Sequence, residues 1–431
     1  MSDLFAARSQ MALSLAFHIV FAVIGIGMPL LMALAERQWQ RTGDPAYLDL
    51  AKRWARGTAI LFAVGAVSGT VLSFELGLLW PRFMAFAGPI IGMPFSLEGF
   101  AFFTEAIFLG IYLYGRDRIS PRAHFTAAIL VAVSGALSGV FVVIANAWMN
   151  APTGFTFDRV PVLATDVHPL AAMANPAAFP EALHMILAAY AATGFGVAGI
   201  HALLILRGRT APFHKYALRL ALLVGVPAAI LQPLSGDVAA RHVAVAQPAK
   251  LAAAEALFVT QDHAPLELGG FPDTAARVDR WGLRIPAALS LLAFHNPSAQ
   301  VTGLDRIPAD QWPNVPVVHL AFDVMVGIGT YLALVGLGVL WSAWRHGAIG
   351  RAHFRALAIA TPLGFVAIEA GWVVTEVGRQ PWIIYGVLRT SDAVTPMPGL
   401  VVPFTVITLL YVFLAVVVTR LLMRHVARSP Q

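Results

Sequence analysis

The sequence predicts an all-α integral membrane protein with nine transmembrane helices, and three observations lead there. Hydrophobic residues make up 58% of the chain and charged residues only 12%, where soluble domains carry about 25% charged residues. Apolar windows of the length needed to cross a hydrocarbon layer recur from end to end. Lys and Arg are so unevenly shared among the connections that an orientation follows from them.

The windows fall at roughly 12–35, 57–80, 94–114, 122–149, 177–206, 213–235, 316–344, 353–375 and 400–424. The first follows MSDLFAARSQ, which has no basic lead-in and no cleavage site, so it is read as a retained span and not a signal peptide. The connections after odd-numbered spans carry eighteen cations: Arg37, Arg41, Lys52, Arg53, Arg56, Arg116, Arg118, Arg122, Arg207, Arg209, Lys215, Arg219, Arg345, Arg351, Arg355, Arg420, Arg424 and Arg428. The short segments on the other face offer five, Arg8, Arg82, Arg159, Arg379 and Arg389. This bias predicts an outer N-terminus and a cytoplasmic C-terminus. The net charge of +6 is therefore topology and not a nucleic-acid footprint. Residues 1–235 hold spans 1–6, residues 236–315 form one long external loop, and residues 316–431 hold spans 7–9. A loop of that length is expected to be functional, and PAKLAAAEALFVTQ within it reads as a helix. No internal repeat is evident, which weakens a transporter built from inverted halves. The absence of cysteine excludes disulfides, Fe–S clusters, thiolate-ligated heme and covalently attached heme.

Against this apolar background the polar intramembrane residues stand out. His18 lies about two turns into span 1. SLEGFAFFTEAIF, residues 96–108, carries Glu98 near the outer end of span 3 and Glu105 seven residues deeper. Seven residues turn a helix by about 700°, so both glutamates share one stripe, about 10 Å apart. His184 lies near the outer end of span 5, where Pro180 and Glu181 bring it close to the interface. Met325 lies in span 7 and Glu369 in the outer half of span 8. Five metal-ligating side chains, His18, Glu98, His184, Met325 and Glu369, thus fall at similar depth on one side of the membrane. Each has a plainer reading: an intramembrane His can hydrogen-bond a neighbouring helix, and a Met can fill a core. A buried carboxylate such as Glu369 needs a partner, for which Arg379 in GRQPW is the candidate. His with Met is an axial pair for heme iron, and a lone His leaves an open position for dioxygen. Zinc is disfavoured, because no HExxH or similarly close cluster occurs.

These residues sit in segments that resemble subunit I of the cytochrome bd family of quinol oxidases, essentially from end to end. The matching pieces are LSLAFHIVF, GTVLSFELGLLW, SLEGFAFFTE, IANAWMNAP, EALHMILAAY, KLAAAEA and IEAGW leading into EVGRQPW. The external loop is similar to that of the short-loop, cyanide-insensitive branch. The resemblance implies that His184 and Met325 are axial ligands of a low-spin heme b. His18 and Glu369 would divide between a high-spin heme b and heme d, or a third heme b in its place. Glu98 would lie at or beside that iron, with Arg379 and Trp372 near the hemes. Lys250 and Glu255 match a pair implicated in binding ubiquinol or menaquinol. Read from the residues alone, they stand about 140° apart on a solvated helix face. Glu105, Ser138 and Asn146 match residues assigned to proton delivery from the cytoplasm.

The implied activity is a terminal oxidase in a bacterial inner membrane that oxidises quinol outside and reduces O2 to water with cytoplasmic protons. It would pair with oxidase subunit II, and the resemblance allows a small single-span subunit too. Two positions depart from the pattern: Asp323 stands where relatives often carry Arg, and Phe365 where some carry Trp. The alternative from another class is a heme-free ion or solute transporter whose His and Glu bind cations or protons.

Overall fold

The computed structural model describes residues 1–159, 162–209 and 211–425. Arg428, counted above among the cytoplasmic cations, lies outside the described residues. The helices in chain order are α1 (Asp3–Thr42), α2 (Pro45–Leu79), α3 (Pro81–Tyr114), α4 (Pro121–Asn150), α5 (Pro169–Met173), α6 (Ala178–Leu206), α7 (Pro212–Ala246), α8 (Pro248–Ala254), α9 (Ala288–Phe294), α10 (Val315–His346), α11 (Arg351–Gly378), α12 (Thr390–Ala393) and α13 (Val401–His425). Among the described residues, nine of these are long and apolar enough to cross a membrane.

Local chemistry sets their ends. Asp44 and Ser120 cap α2 and α4 through side-chain oxygens, each followed by Pro in the first turn, where its missing N–H costs nothing. Gly43 and Gly347 close α1 and α10 in the left-handed conformation. Several helices outrun the apolar windows that predict them. α1 starts nine residues early, α3 runs through Pro89 and Pro94, and α7 continues past Pro233 to Ala246. In a bundle a proline's lost hydrogen bond is tolerated where neighbouring helices make good the freed groups.

The α6–α7, α6–α11, α1–α2 and α3–α4 pairs are the principal helix contacts, and α13 packs on the outside of α1 and α2. Exposed Phe100, Phe103 and Ile107 on α3 and Leu409 and Phe413 on α13 show which faces meet lipid or a partner. At one end of the bundle, called here the basic face, Arg116 pairs with fully buried Glu36 at 2.7 Å, and His124 joins them. At the opposite end, the loop face, the segment between α7 and α10 folds over the helix ends.

That loop has its own apolar core of Leu251, Leu257, Phe258, Leu289, Leu304 and Val318. Short antiparallel pairs tie it together, Leu266–Leu268 with Leu283–Ile285 and Phe271–Asp273 with Val278–Arg280. The helix expected over PAKLAAAEALFVTQ is shorter than predicted: α8 ends at Ala254 and the chain turns into the loop core.

Candidate functional site

His18 on α1 places Nδ1 3.0 Å from the hydroxyl of Ser68 on α2. Its ring lies over Gly69, where a Cβ would come within 3.0 Å of Cε1. His184 on α6 is held by α7: Ser235 Oγ is 2.9 Å from Nδ1, and Gln232 reaches both ring nitrogens and donates to the His184 carbonyl. Its ring faces Gly236. Met325 on α10 lies over Gly371 of α11, where a Cβ would stand 3.0 Å from Sδ. Each of the three thus stands against a glycine of a neighbouring helix, so a ring edge or thioether meets bare backbone.

The glutamates differ in their surroundings. Glu98 accepts a hydrogen bond from Ser138 on α4 at 2.9 Å. Glu105 is buried against Gly135, and its Oε1 has no hydrogen-bond partner. Glu369 Oε1 is likewise without one. Phe365 and Trp372 pack with Ile368 in a cluster that joins α11 to α1 and α6.

Arg379 does not serve Glu369. It pairs with Glu376, three residues back along the chain, and donates to Asn150 Oδ1 at 3.3 Å. Ten residues separate Arg379 from Glu369, about 15 Å of helix, so the nearer carboxylate takes the charge. Glu376 is the residue the sequence reading passed over. It lies two turns beyond Glu369 on the same face of α11, and the signal was in EVGRQPW, an acid three residues before an Arg.

Asn146 donates to Glu376 at 2.6 Å, and so joins the loop-face network, whereas Ser138 serves Glu98 two turns deeper. The centre of that network is Asn150, the last residue of α4. Its Oδ1 accepts from Lys250 Nζ at 3.0 Å and from Arg379, and its Nδ2 donates to Glu181 at 3.1 Å. Gln247 donates to its carbonyl at 3.0 Å.

Lys250 and Glu255 correct the solvated-face reading, since they are 4% and 3% exposed. Gly378 of α11 lies against the Lys250 side chain, and burial pulls that ammonium below its ordinary value. Burial first, then the charges of Asp323 and Glu267, push the Glu255 carboxyl up to about 8. Asp323 is itself paired: His319 Nε2 stands 3.2 Å away on the same helix. Beside α8 a cavity of about 230 Å³ is lined by Pro248, Arg306, Gln380, Trp382 and Tyr385, with Gly378 between it and Lys250.

Among the described residues no three His, Asp or Glu side chains are arranged to hold a bare metal ion. The convergence expected for five ligands is therefore not a single ion site. The donor set instead fits iron that arrives in its own macrocycle, which asks one or two ligands of the protein at each centre. The glycine-backed His and Met side chains and the unpartnered Glu369 oxygen are consistent with such a group.

Residues 6–430 match the family described as cytochrome bd terminal oxidase subunit I. The chain is 38% identical to the putative cytochrome bd menaquinol oxidase subunit I of Bacillus subtilis (strain 168), covering 100% of this chain and 98% of the relative. It is 34% identical to the cytochrome bd ubiquinol oxidase subunit 1 of the same organism, over 92% of this chain and 87% of that one. Among solved structures it is similar to the bd oxidase of Geobacillus thermodenitrificans, with a TM-score of 0.93, 39% identity, and coverage of 100% and 99% of the two chains. All three relatives are oxidases, which leaves the transporter alternative without support. The chain belongs to the cytochrome bd terminal oxidase subunit I family, whose members are quinol-oxidising, heme-bearing membrane oxidoreductases that work with a second subunit.

Proposed function

We propose that this subunit oxidises quinol at the loop face, on the outer side of a bacterial cytoplasmic membrane, and that dioxygen is reduced to water with protons drawn from the basic, cytoplasmic face. The excess of Arg and Lys at the basic face supports that orientation. In this reading His184 and Met325 hold a low-spin heme b. His18 and a glutamate of α11 divide between a high-spin heme b and heme d, or a third heme b. Two α11 carboxylates can serve, Glu369, whose Oε1 is unpartnered, and Glu376, which shares its face. Glu98 stands beside the same centre. When bound, these groups supply one-electron storage and an open iron position for dioxygen.

The chain's own residues bring quinol and protons to them. The cavity beside α8 offers Trp382 and Tyr385 as apolar walls for a quinol ring and Gln380 and Arg306 as hydrogen-bond donors. Lys250, fixed by Asn150, sets a positive charge behind Gly378. Glu255 is the proton acceptor, since a carboxyl that titrates near neutrality can take and release protons. On the cytoplasmic route, Glu105 carries a proton towards Glu98, which Ser138 orients. An unpartnered buried carboxyl at mid-membrane is expensive unless it does such work. Asn146 and Arg379 hold Glu376 in place at the outer end of that route. Trp372, packed between α11 and the α1–α6 contact, keeps this region dry.

The observation that carries the reading is the set of three glycine-backed ligand side chains at His18, His184 and Met325. It is tested by reduced-minus-oxidised visible spectra of the membrane-embedded enzyme. H184A should lose the low-spin signal and keep the high-spin ones. H184A spectra identical to wild type would refute the assignment. Comparing E369Q with E376Q identifies the α11 ligand by which of them alters the high-spin bands.

A further inference from the structure

On the far side of Glu255 from Lys250, the loop gathers acidic side chains that the quinol reading does not use. Glu267 lies on the strand Leu266–Leu268, Asp279 on Val278–Arg280 and Asp323 on α10. Glu255 Oε2, Glu267 Oε2 and both Asp279 carboxylate oxygens are buried without a side-chain hydrogen-bond partner. These groups are close together. A Cβ at Gly282 would collide with Asp279 Oδ2 and stand 3.0 Å from Glu267 Oε2 and 3.1 Å from the Gly269 carbonyl. That carbonyl is in turn 3.2 Å from His319 Nε2. The Gly282 backbone thus lies directly against two carboxylates.

His319 is fully buried at the centre. Its Nδ1 stands 2.8 Å from the Ala254 carbonyl, and its Nε2 faces the Gly269 carbonyl and the Asp323 carboxylate. The Ala254 and Gly269 carbonyls can only accept, so these two contacts are met when both ring nitrogens carry hydrogen. Among the described residues, the other cation against the group is Arg284, 2.8 Å from Glu267 and mostly exposed. Asp273 and Arg280, on the neighbouring strands, pair with each other at the surface. Exposure rises along the row, from Glu255 and Glu267, both buried, to half-buried Asp279 at the loop's outer edge. Burial raises Glu267 and Asp279 above the usual carboxylate range, partly offset at both by Arg284 and His319.

We propose that Glu255, Glu267 and Asp279 form the exit by which protons taken from quinol reach the outer water, with His319 as the positioning cation that lets three carboxylates share one pocket. The balance is simple. Quinol gives up two electrons to the redox centres of the oxidase and two protons to Glu255 in turn, and becomes quinone. Each proton passes through Glu267 and Asp279, with water completing the gaps, and leaves beside Gly282. Glu255 must be emptied after every transfer, and a buried carboxyl without an outlet would stall after the first. The inference rests on the quinol reading above, and deepens it.

The test uses the complete enzyme in membranes with two donors, a short-chain quinol and a one-electron amine donor that releases no proton. E267Q and D279N should slow quinol turnover about tenfold, with a larger solvent deuterium isotope effect, while the amine-supported rate and visible spectrum stay at wild type. H319Q should move the pH at half-maximal quinol rate upward, because losing a cation makes the carboxylates harder to ionise. H319K should restore it. Unchanged quinol turnover in E267Q, D279N and their double variant overturns the exit route, and so do equal losses with both donors. If K250Q and E255Q also leave quinol oxidation untouched, the quinol reading itself has failed; if they impair it, only the exit has.

Discussion

Five residues apart on one short segment, Lys250 and Glu255 face opposite kinds of surroundings. Lys250 enters a network in which nearly every donor meets an acceptor, Arg379 Nε excepted: Asn150 binds Lys250, Arg379, Gln247 and Glu181, and Glu376 binds Arg379 and Asn146. Glu255 enters a pocket of carboxylates in which several buried oxygens, its own Oε2 among them, lack a side-chain partner. The difference teaches what each half does. A satisfied buried network fixes geometry, and disturbing it costs stability. An unsatisfied titratable group keeps its capacity to bind and release a proton, and disturbing it costs turnover.

The largest effect should come from breaking the satisfied half. Asn150→Ala removes the shared acceptor of two buried cations and the donor to Glu181, a loss of roughly 3 kcal/mol or more. The detergent-solubilised complex should then melt at clearly lower temperature and lose its loop-face organisation. A thermal transition within a degree or so of wild type would dissolve the contrast. Next come the intramembrane glutamates, which repeat it in miniature on α3. Glu98, hydrogen-bonded to Ser138, should when changed to Gln alter heme content or spectra. Glu105, unpartnered, should when changed to Gln slow turnover with the hemes retained. The same loss of heme in both would end this division of labour.

The smallest effect is a pH dependence. The Glu255 carboxyl is raised to about 8 in the fold, so its protonated form is the one the fold favours. Its contribution is fully present below the ordinary carboxylate value and declines as pH rises towards about 8. Wild type should therefore lose thermal stability relative to E255Q across that window, and a gap that does not widen with pH would contradict the burial argument.

Much of the fold was legible in the sequence. Nine apolar windows and the Arg and Lys bias name nine helices, because both signals arise from the bilayer and need no tertiary contact. Helix ends were less so. The third apolar window begins only at residue 94, yet α3 starts at Pro81 and passes through Pro89 and Pro94 because the bundle supports it. His18, His184 and Met325 could be picked out from residue type and depth, but not the glycines that back them. The burial of Lys250 and Glu255 was hidden for a plainer reason. Their partners lie far away in the chain, at Asn150 and Asp323, so a local pattern shows only an amphipathic face. Arg379 was matched to the wrong glutamate because an acid in an apolar run draws attention, whereas Glu376 sits in a polar stretch.

The most direct test of the contrast between Lys250 and Glu255 is steady-state quinol kinetics of K250Q beside E255Q in membranes with wild-type visible spectra. K250Q should raise the quinol KM severalfold with kcat largely kept, since Lys250 anchors the binding wall. E255Q should lower kcat with KM near wild type and flatten the rise of rate towards pH 8. If both variants shift KM alike, or exchange these signatures, the two halves of the loop face do not do different work.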